Sequence, residues 1–281
     1  ATLVAKDGAA AIAASQSPPG QVATLILPAD TAWNEAESSC EPQPIQKPNP
    51  VPSDRISEIA HIIKTKENVV LLVGDHVLRS EKLQRITSSI AKKFGARFMA
   101  KWFGARIKRG ASRPIIERLA YVVDQSLEIL KGTEHLVLIG TVDPVGFFAY
   151  PNKPSLLAPP AAEKHVFANL NDDVEAALIA LAAKLEVSDD PGELAILDRP
   201  ALPSGKLDPD KVWESVSALM PENSIVSDEG VTASRIAGPL TQNAPAHDWL
   251  HVTGGAIGQG LPVATGAAVA APDRQVFAME A

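Results

Sequence analysis

The residues best equipped for chemistry lie near the end of the chain, in GGAIGQGLP at positions 254–262. Four glycines surround one apolar side chain, Ile257, and the turn leads into an alanine-lined helix. The first turn of a helix presents amides with no partner behind them, and its dipole favours negative charge. Gly254, Gly255, Ala256, Ile257 and Gly258 therefore form a candidate ligand turn. Glycine at 254 and 255 lets the backbone be approached closely. Tight helix packing without a ligand uses glycines in the same way, and a GxG pattern by itself does not separate the two readings.

Other reactive side chains are scattered. His76, His135, His165 and His251 stand far apart in sequence and read as surface or hydrogen-bonded packing residues. His251, just before the glycine turn, is the one to test for a role beside a ligand. Cys40 lies by a proline-rich stretch and reads as inert. The run KWFGARIKRGASR, Lys101 to Arg113, could meet an anionic ligand through Arg106, Lys108, Arg109 and Arg113. A solvated loop or a subunit contact is the favoured reading, because charge runs usually face water. In FFAYPNKPS, Phe147, Phe148 and Tyr150 could line an aromatic pocket; anchoring a loop made rigid by Pro151 and Pro154 is the simpler role.

The elements that must position these residues are legible in outline. An alanine-rich helical stretch covers residues 8–14, and Val22 to Leu27 reads as a strand buried on both faces. EPQPIQKPNPVP then places five prolines in twelve residues, too few backbone donors for helix or sheet. From Asp54 to Lys64, apolar residues at Ile56, Ile59, Ala60 and Ile63 mark one helical face, with Ser53 placed to cap it. VVLLVGDHVL follows as a buried strand and glycine turn, Ser80 to Phe94 as a helix, and Ala96 to Phe103 as a strand. Pro114 to Leu130 reads as a helix, His135 to Gly140 and His165 to Leu170 as strands, and Asp172 to Leu185 as a helix. Strands alternating with helices imply a parallel sheet with right-handed crossovers. After the proline-rich stretch 188–209, a helix over Asp208–Leu219 precedes strands at Ser224–Ser227, Trp249–Val252 and Gln275–Met279. A helix or turn at Ser234–Leu240 and a helix at Gly258–Ala271 lie between them.

Composition narrows the class. The 281 residues are 46% hydrophobic but only 5% aromatic, which suits closely packed helices on sheets and so an α/β fold. The net charge of −7, with basic residues scattered except for one short run, argues against nucleic acid as a partner. No stretch approaches the roughly 20 apolar residues of a spanning helix, so a membrane is not expected either. One cysteine permits no internal disulfide and no Cys/His spacing matches a zinc site, which points to a reducing, cytoplasmic setting.

Three segments together resemble the thiamine-diphosphate-dependent enzymes, the family that includes acetolactate synthase and benzoylformate decarboxylase. PGQVATLILPADTAW resembles the end of that family's pyrimidine-binding domain. VVLLVGDHVL through DPVGFFAYPNKPS resembles its central domain, and PVGFFAYPNKPS is most similar to acetolactate synthase large-subunit homologues. IVSDEGVTAS with HVTGGAIGQGLPVATGAAVA resembles the first half of its diphosphate-binding domain. The resemblance implies doubly wound parallel sheets, with a complete Rossmann-like central domain between partial pyrimidine- and diphosphate-binding domains. It divides the chain into residues 1–40 (end of the pyrimidine domain), 41–53 (linker), 54–187 (central domain), 188–207 (linker) and 208–281 (start of the diphosphate domain).

It further implies thiamine diphosphate and magnesium as cofactors, a small 2-oxo acid as substrate, decarboxylation or carboligation as the reaction, and a homodimer or homotetramer. Ile257 would be the wedge beneath the bent cofactor, with the Gly255 carbonyl and the Ile257 amide as pyrimidine partners. Gly230, Val231 and the Thr232 hydroxyl would wrap the diphosphate, while Asp228 and Glu229 must point away or serve other groups. Ala281 would fall on the first position of the magnesium motif, and the pyrimidine-activating glutamate lies upstream in the family. The opening ATLVAKDGAAAI reads as the interior of a helix begun earlier. Truncation at both ends is thus expected, no metal ligand or catalytic residue is assigned, and the isolated 281 residues are expected not to turn over substrate. Two rivals stay open: a central domain that binds FAD or another nucleotide without catalysis, and a structural homologue that has lost the chemistry. FAD is possible here but not required, since GDHVLRSE after the strand lacks the second and third glycines of a dinucleotide site.

Overall fold

The computed structural model describes residues 3–36 and 38–280. Helices α1 (Val4–Gln16) and α2 (Ala29–Trp33) open the chain, followed by α3 (Ser53–Thr65), β1 (Val69–Val73), α4 (Asp75–Leu78), α5 (Glu81–Phe94) and β2 (Arg97–Ala100). Next come β3 (Ile107–Arg109), β4 (Glu117–Arg118), α6 (Val123–Leu130), β5 (His135–Ile139), β6 (Glu163–Ala168) and α7 (Val174–Lys184). The last third holds α8 (Pro209–Leu219), β7 (Ile225–Glu229), α9 (Ala237–Leu240), β8 (His247–His251), α10 (Gly260–Ala270) and β9 (Val276–Glu280).

Two sheets organise these elements. The first has the order β4-β2-β1-β5-β6, with every neighbouring pair parallel. Its central strands, VVLLV and HLVLI, are buried at every position, as strands covered by helices on both faces must be. Each such side chain contributes about 1.5–3 kcal/mol by leaving water. The second sheet has the order β3-β8-β7-β9, parallel except where β3 runs antiparallel to β8. One apolar core extends from Ile59, Leu71 and Phe167 beside the first sheet to Trp213, Val226 and Trp249 beside the second, and a separate cluster around Val70, Leu72 and Leu136 covers the other face of the first sheet.

Local chemistry explains several boundaries. The Ser80 side chain accepts from the Leu83 amide at the start of α5, and Gly95 ends that helix at φ +68°. Asp173 and Asp208 cap α7 and α8 in the same way, with Pro209 in the first turn of α8. Gly74 closes β1 because a Cβ there would stand 1.9 Å from the Gly140 carbonyl oxygen. Strand-end packing accounts for that glycine without any nucleotide.

Four expectations are corrected. Val22 to Leu27 forms no strand: Val22 is 94% and Ile26 82% exposed, and among the described residues no strand lies beside them to accept their backbone bonds. Ser53 is not a cap; Pro52 holds the capping position of α3, and Ser53 is its first helical residue, with no side-chain bond to the helix start. The helix expected from Pro114 begins only at Val123, because residues 114–119 spend their backbone groups elsewhere. The Ile115 amide donates to Glu193, the Leu119 amide donates to Ala100, and β4 pairs with β2. Finally, the basic run is neither a solvated loop nor an anion site but a brace between the two sheets. It contains β3, with Lys101 bonded to Asp75, Arg106 to Asp248, Arg113 to Glu81, and the Arg109 guanidinium 4.9 Å above the Trp249 ring.

Candidate functional site

The candidate residues gather where parallel strands of the second sheet end. β7 finishes at Glu229 and leads into Gly230–Val231–Thr232; β8 finishes at His251 and leads through a 3-10 turn at Thr253–Gly255 to the start of α10. In parallel α/β sheets such carboxyl edges are where ligands bind.

Asp228 and Glu229 both serve the protein itself. The buried Asp228 accepts from the Gly230 amide at 3.1 Å, from Ser234 Oγ at 2.5 Å and from Trp249 Nε1 at 3.2 Å. Burial raises its pKa above the usual carboxylate value, and these three donors and the nearby Arg118 oppose the rise. Glu229 accepts from the amides of Gly258 and Gly260, which ties the glycine turn to β7 and places a carboxylate at the start of α10. Those two bonds hold its pKa below the ordinary range. Glu280, opposite Glu229 in the register of β7 and β9, is pushed the other way by desolvation and by the charges of Glu229 and Asp228.

The turn after β7 leaves donors free. Ala233 and Ser234 return their amides to the Gly230 carbonyl, but among the described residues the amides of Val231 and Thr232 have no hydrogen-bond partner. Val231 adopts φ +40°, a strained value for a β-branched residue and one associated with sites of function. Gly230 is required by packing, since a Cβ there would lie 2.1 Å from Ser234 Oγ.

In the second turn, Gly254 and Gly258 have φ values of +64° and +93°, and the place of a Cβ on each is open space. Gly255, at φ +63°, differs: its Cβ would meet Phe147 Cζ at 2.9 Å. Ile257 is 74% exposed. The Ile257 amide donates to the Gly255 carbonyl at 3.0 Å across Ala256, whose φ −77° and ψ 87° describe an inverse γ-turn. The two backbone groups named as pyrimidine partners therefore bond to each other here.

Behind the turn stands an aromatic wall. Phe147 lies 5.1 Å from Phe103 and 5.8 Å from Tyr121, and His251 lies 5.3 Å from Phe103 and 5.6 Å from Trp102. Phe148 and Tyr150 continue the stack outward, so the FFAY segment both anchors its loop and supports Gly255. Burial first, and the charge of Arg118 second, pull the pKa of His251 down to about 4, so its ring is neutral near pH 7. Its Nδ1 is buried without a hydrogen-bond partner.

The residues fit the expected cofactor in part. The open faces at Gly254 and Gly258, the exposed Ile257 and the free amides at Val231 and Thr232 suit a ligand with an apolar bend and an anionic tail. Ala281, expected to open the magnesium motif, lies outside the described residues. Sequence reasoning missed three contributors: Glu229 as the tie to α10, Phe147 as the support of Gly255, and β3 as the brace. Each depends on a contact between segments distant in sequence, which no local pattern announces.

Comparison with known proteins agrees with this architecture. No family model matches the chain. Over 280 residues it is 42% identical to a Mycobacterium tuberculosis protein named "Putative acetolactate synthase large subunit IlvX", covering 99% of this chain and 53% of that protein. A Mycobacterium smegmatis structure titled "putative thiamin diphosphate-dependent enzyme" superposes with a TM-score of 0.71 at 21% identity, covering 98% of this chain and 56% of that one. The thiamine diphosphate-dependent 4-hydroxybenzoylformate decarboxylase of Rhodococcus jostii RHA1 gives 0.67 at 21% identity, over 98% and 55% of the two chains. The fold is that of the thiamine-diphosphate-dependent enzymes. The chain spans about half the length of the relatives it matches.

Proposed function

We propose that this chain supplies the diphosphate-binding side of a thiamine-diphosphate and magnesium site in an enzyme that decarboxylates or ligates 2-oxo acids. The observation that carries the reading is Ile257, exposed between the open-faced Gly254 and Gly258 and close in the fold to the unpartnered amides of Val231 and Thr232. When bound, the cofactor supplies the electron sink for cleavage next to a carbonyl, and the protein supplies posture and electrostatics. Ile257 holds the bend. The Gly255 carbonyl and Ile257 amide take up the pyrimidine once their mutual bond has opened. The Val231 and Thr232 amides and the Thr232 hydroxyl receive the diphosphate. Asp228, Glu229 and Glu280 make the surroundings acidic, so a divalent cation must accompany the anion.

The reading includes a homodimer or homotetramer and a cytoplasmic location, the latter supported by a single cysteine. No helix among the described residues is long and apolar enough to cross a membrane. One observation favours a second reading, a non-catalytic homologue: the Glu229 carboxylate already occupies the amides at the start of α10.

Calorimetry with thiamine diphosphate and Mg2+ on the protein in its native full-length form separates the two, together with carbon dioxide release from 2-oxo acids. Saturable binding is expected, and Ile257→Ala should lower turnover by roughly 10²-fold, as loss of a positioning contact does, with far less effect on affinity. Absence of binding at millimolar cofactor would end the catalytic reading.

A further inference from the structure

His135 and His165 are 30 residues apart in sequence, yet the parallel pairing of β5 with β6 sets His135 opposite Glu163 and Val137 opposite His165. Glu163 and His165, two apart on one strand, share a face of the sheet. His135 Nδ1 lies 3.0 Å from His165 Nε2 and 3.6 Å from a Glu163 carboxylate oxygen, and His165 Nδ1 lies 4.0 Å from the other oxygen. We propose that His135, Glu163 and His165 form a binding site for a divalent transition-metal ion, with zinc the best match.

One ligand atom from each residue lies within 4.8 Å of the other two, and the separations from His135 Nδ1 are those of ligands around one ion. Zinc bonds of about 2.0–2.1 Å in tetrahedral geometry separate ligand atoms by roughly 3.3 Å, close to both the 3.0 Å and the 3.6 Å separations. An imidazole–imidazole hydrogen bond alone would account for the first distance. It leaves unexplained why the Glu163 carboxylate stands within 4.0 Å of both rings and makes no hydrogen bond to either. The donor set of two imidazoles and a carboxylate suits zinc, copper or nickel, not magnesium, so this site is chemically distinct from the magnesium position of the cofactor. It is also elsewhere in the fold, at the amino ends of β5 and β6 in the first sheet.

Burial supports the ligand role. His135 and His165 are 9% and 8% exposed, which fixes their rings, while Glu163 is 67% exposed and gives an ion a way in. Other charges facing the His165 ring are Glu58 on α3, which adds negative potential, and Lys66 just past α3, which opposes it.

The test is titration of the full chain with Zn2+ against a chromophoric chelator, repeated with Co2+ to read coordination from its visible spectrum. One ion per chain is expected, with the intense absorption of four- or five-coordinate cobalt. Glu163→Gln, at an exposed position that leaves the fold intact, and His165→Gln should each weaken binding at least as much as loss of an outer-shell partner, roughly 10–100-fold. His61→Gln, at an exposed histidine of α3, should leave it unchanged. Failure of the folded wild-type chain to bind Zn2+, or equal affinity in the wild type and Glu163→Gln, would overturn the proposal.

Discussion

At the scale of single residues, one glycine is held by packing and two histidines by burial, and each makes a prediction. Gly255 combines φ +63° with contact against Phe147, so Gly255→Ala adds backbone strain to a clash with an aromatic ring. It should cost about 1–3 kcal/mol in urea unfolding, whereas Gly254→Ala, with open space at its Cβ, should cost only the strain of its φ. His247 and His251 both have folded pKa values near 4, lowered from 6.5 chiefly by burial. His247 Nδ1 lies 2.7 Å from the Pro245 carbonyl, which can only accept, so that nitrogen carries the proton of the neutral ring. For groups depressed in the folded state, the unfolded chain binds more protons between the two values, and stability rises with pH there. Their contribution is fully present above pH 6.5 and is lost as pH falls toward 4. The expected loss is on the order of 2–3 kcal/mol for each ring. Chemical denaturation at pH 7.5 and at pH 5 measures it, and His247→Gln should flatten the slope.

At the scale of elements, β3 does more than its three residues suggest. Asp248 on β8 accepts from Arg106 beside β3 and from Arg274 before β9, so one buried carboxylate ties together three segments of the second sheet. Asp248→Ala removes charge-assisted bonds from both guanidinium groups, leaving Arg274 only its carbonyl partners Asn223 and Ser224. It should cost about 2–3 kcal/mol, and hydrogen exchange should quicken first at Ile107 and Arg109, where β3 pairs with β8. Elements differed in how far they could be read from sequence. VVLLV and HLVLI were plain because strands covered on both faces need no alternation. Ile-Lys-Arg of β3 was hidden, since it pairs with Trp249 and the Arg109 guanidinium is satisfied by the Gly238 carbonyl and the Trp249 ring, more than a hundred positions away. Val22 to Leu27 shows the converse. An apolar run states that a segment would gain from being covered, and it does not say what covers it.

At the scale of the whole molecule, two sheets share one core, and the candidate cofactor turn sits where they meet. The turn's composition was legible in GGAIGQGLP, as was its place after a strand. Its support was not: Phe147 reaches Gly255 from more than a hundred residues away, and Glu229 reaches Gly258 and Gly260 across about thirty. The His135–Glu163–His165 group was equally invisible, because only the register of β5 and β6 brings it together. Spacing along the chain finds ligand sets built on one helix or one loop, and it misses those built across a sheet.

Phe147 also sets the mechanics of the turn it touches. Gly255 rests on that ring like a pin in its bearing, while the Glu229 carboxylate holds the amide of Gly258 beyond Ile257. The segment between them is therefore pinned at both ends. Ile257 then stands as a stop between two fixed posts, its side chain presented outward at 74% exposure.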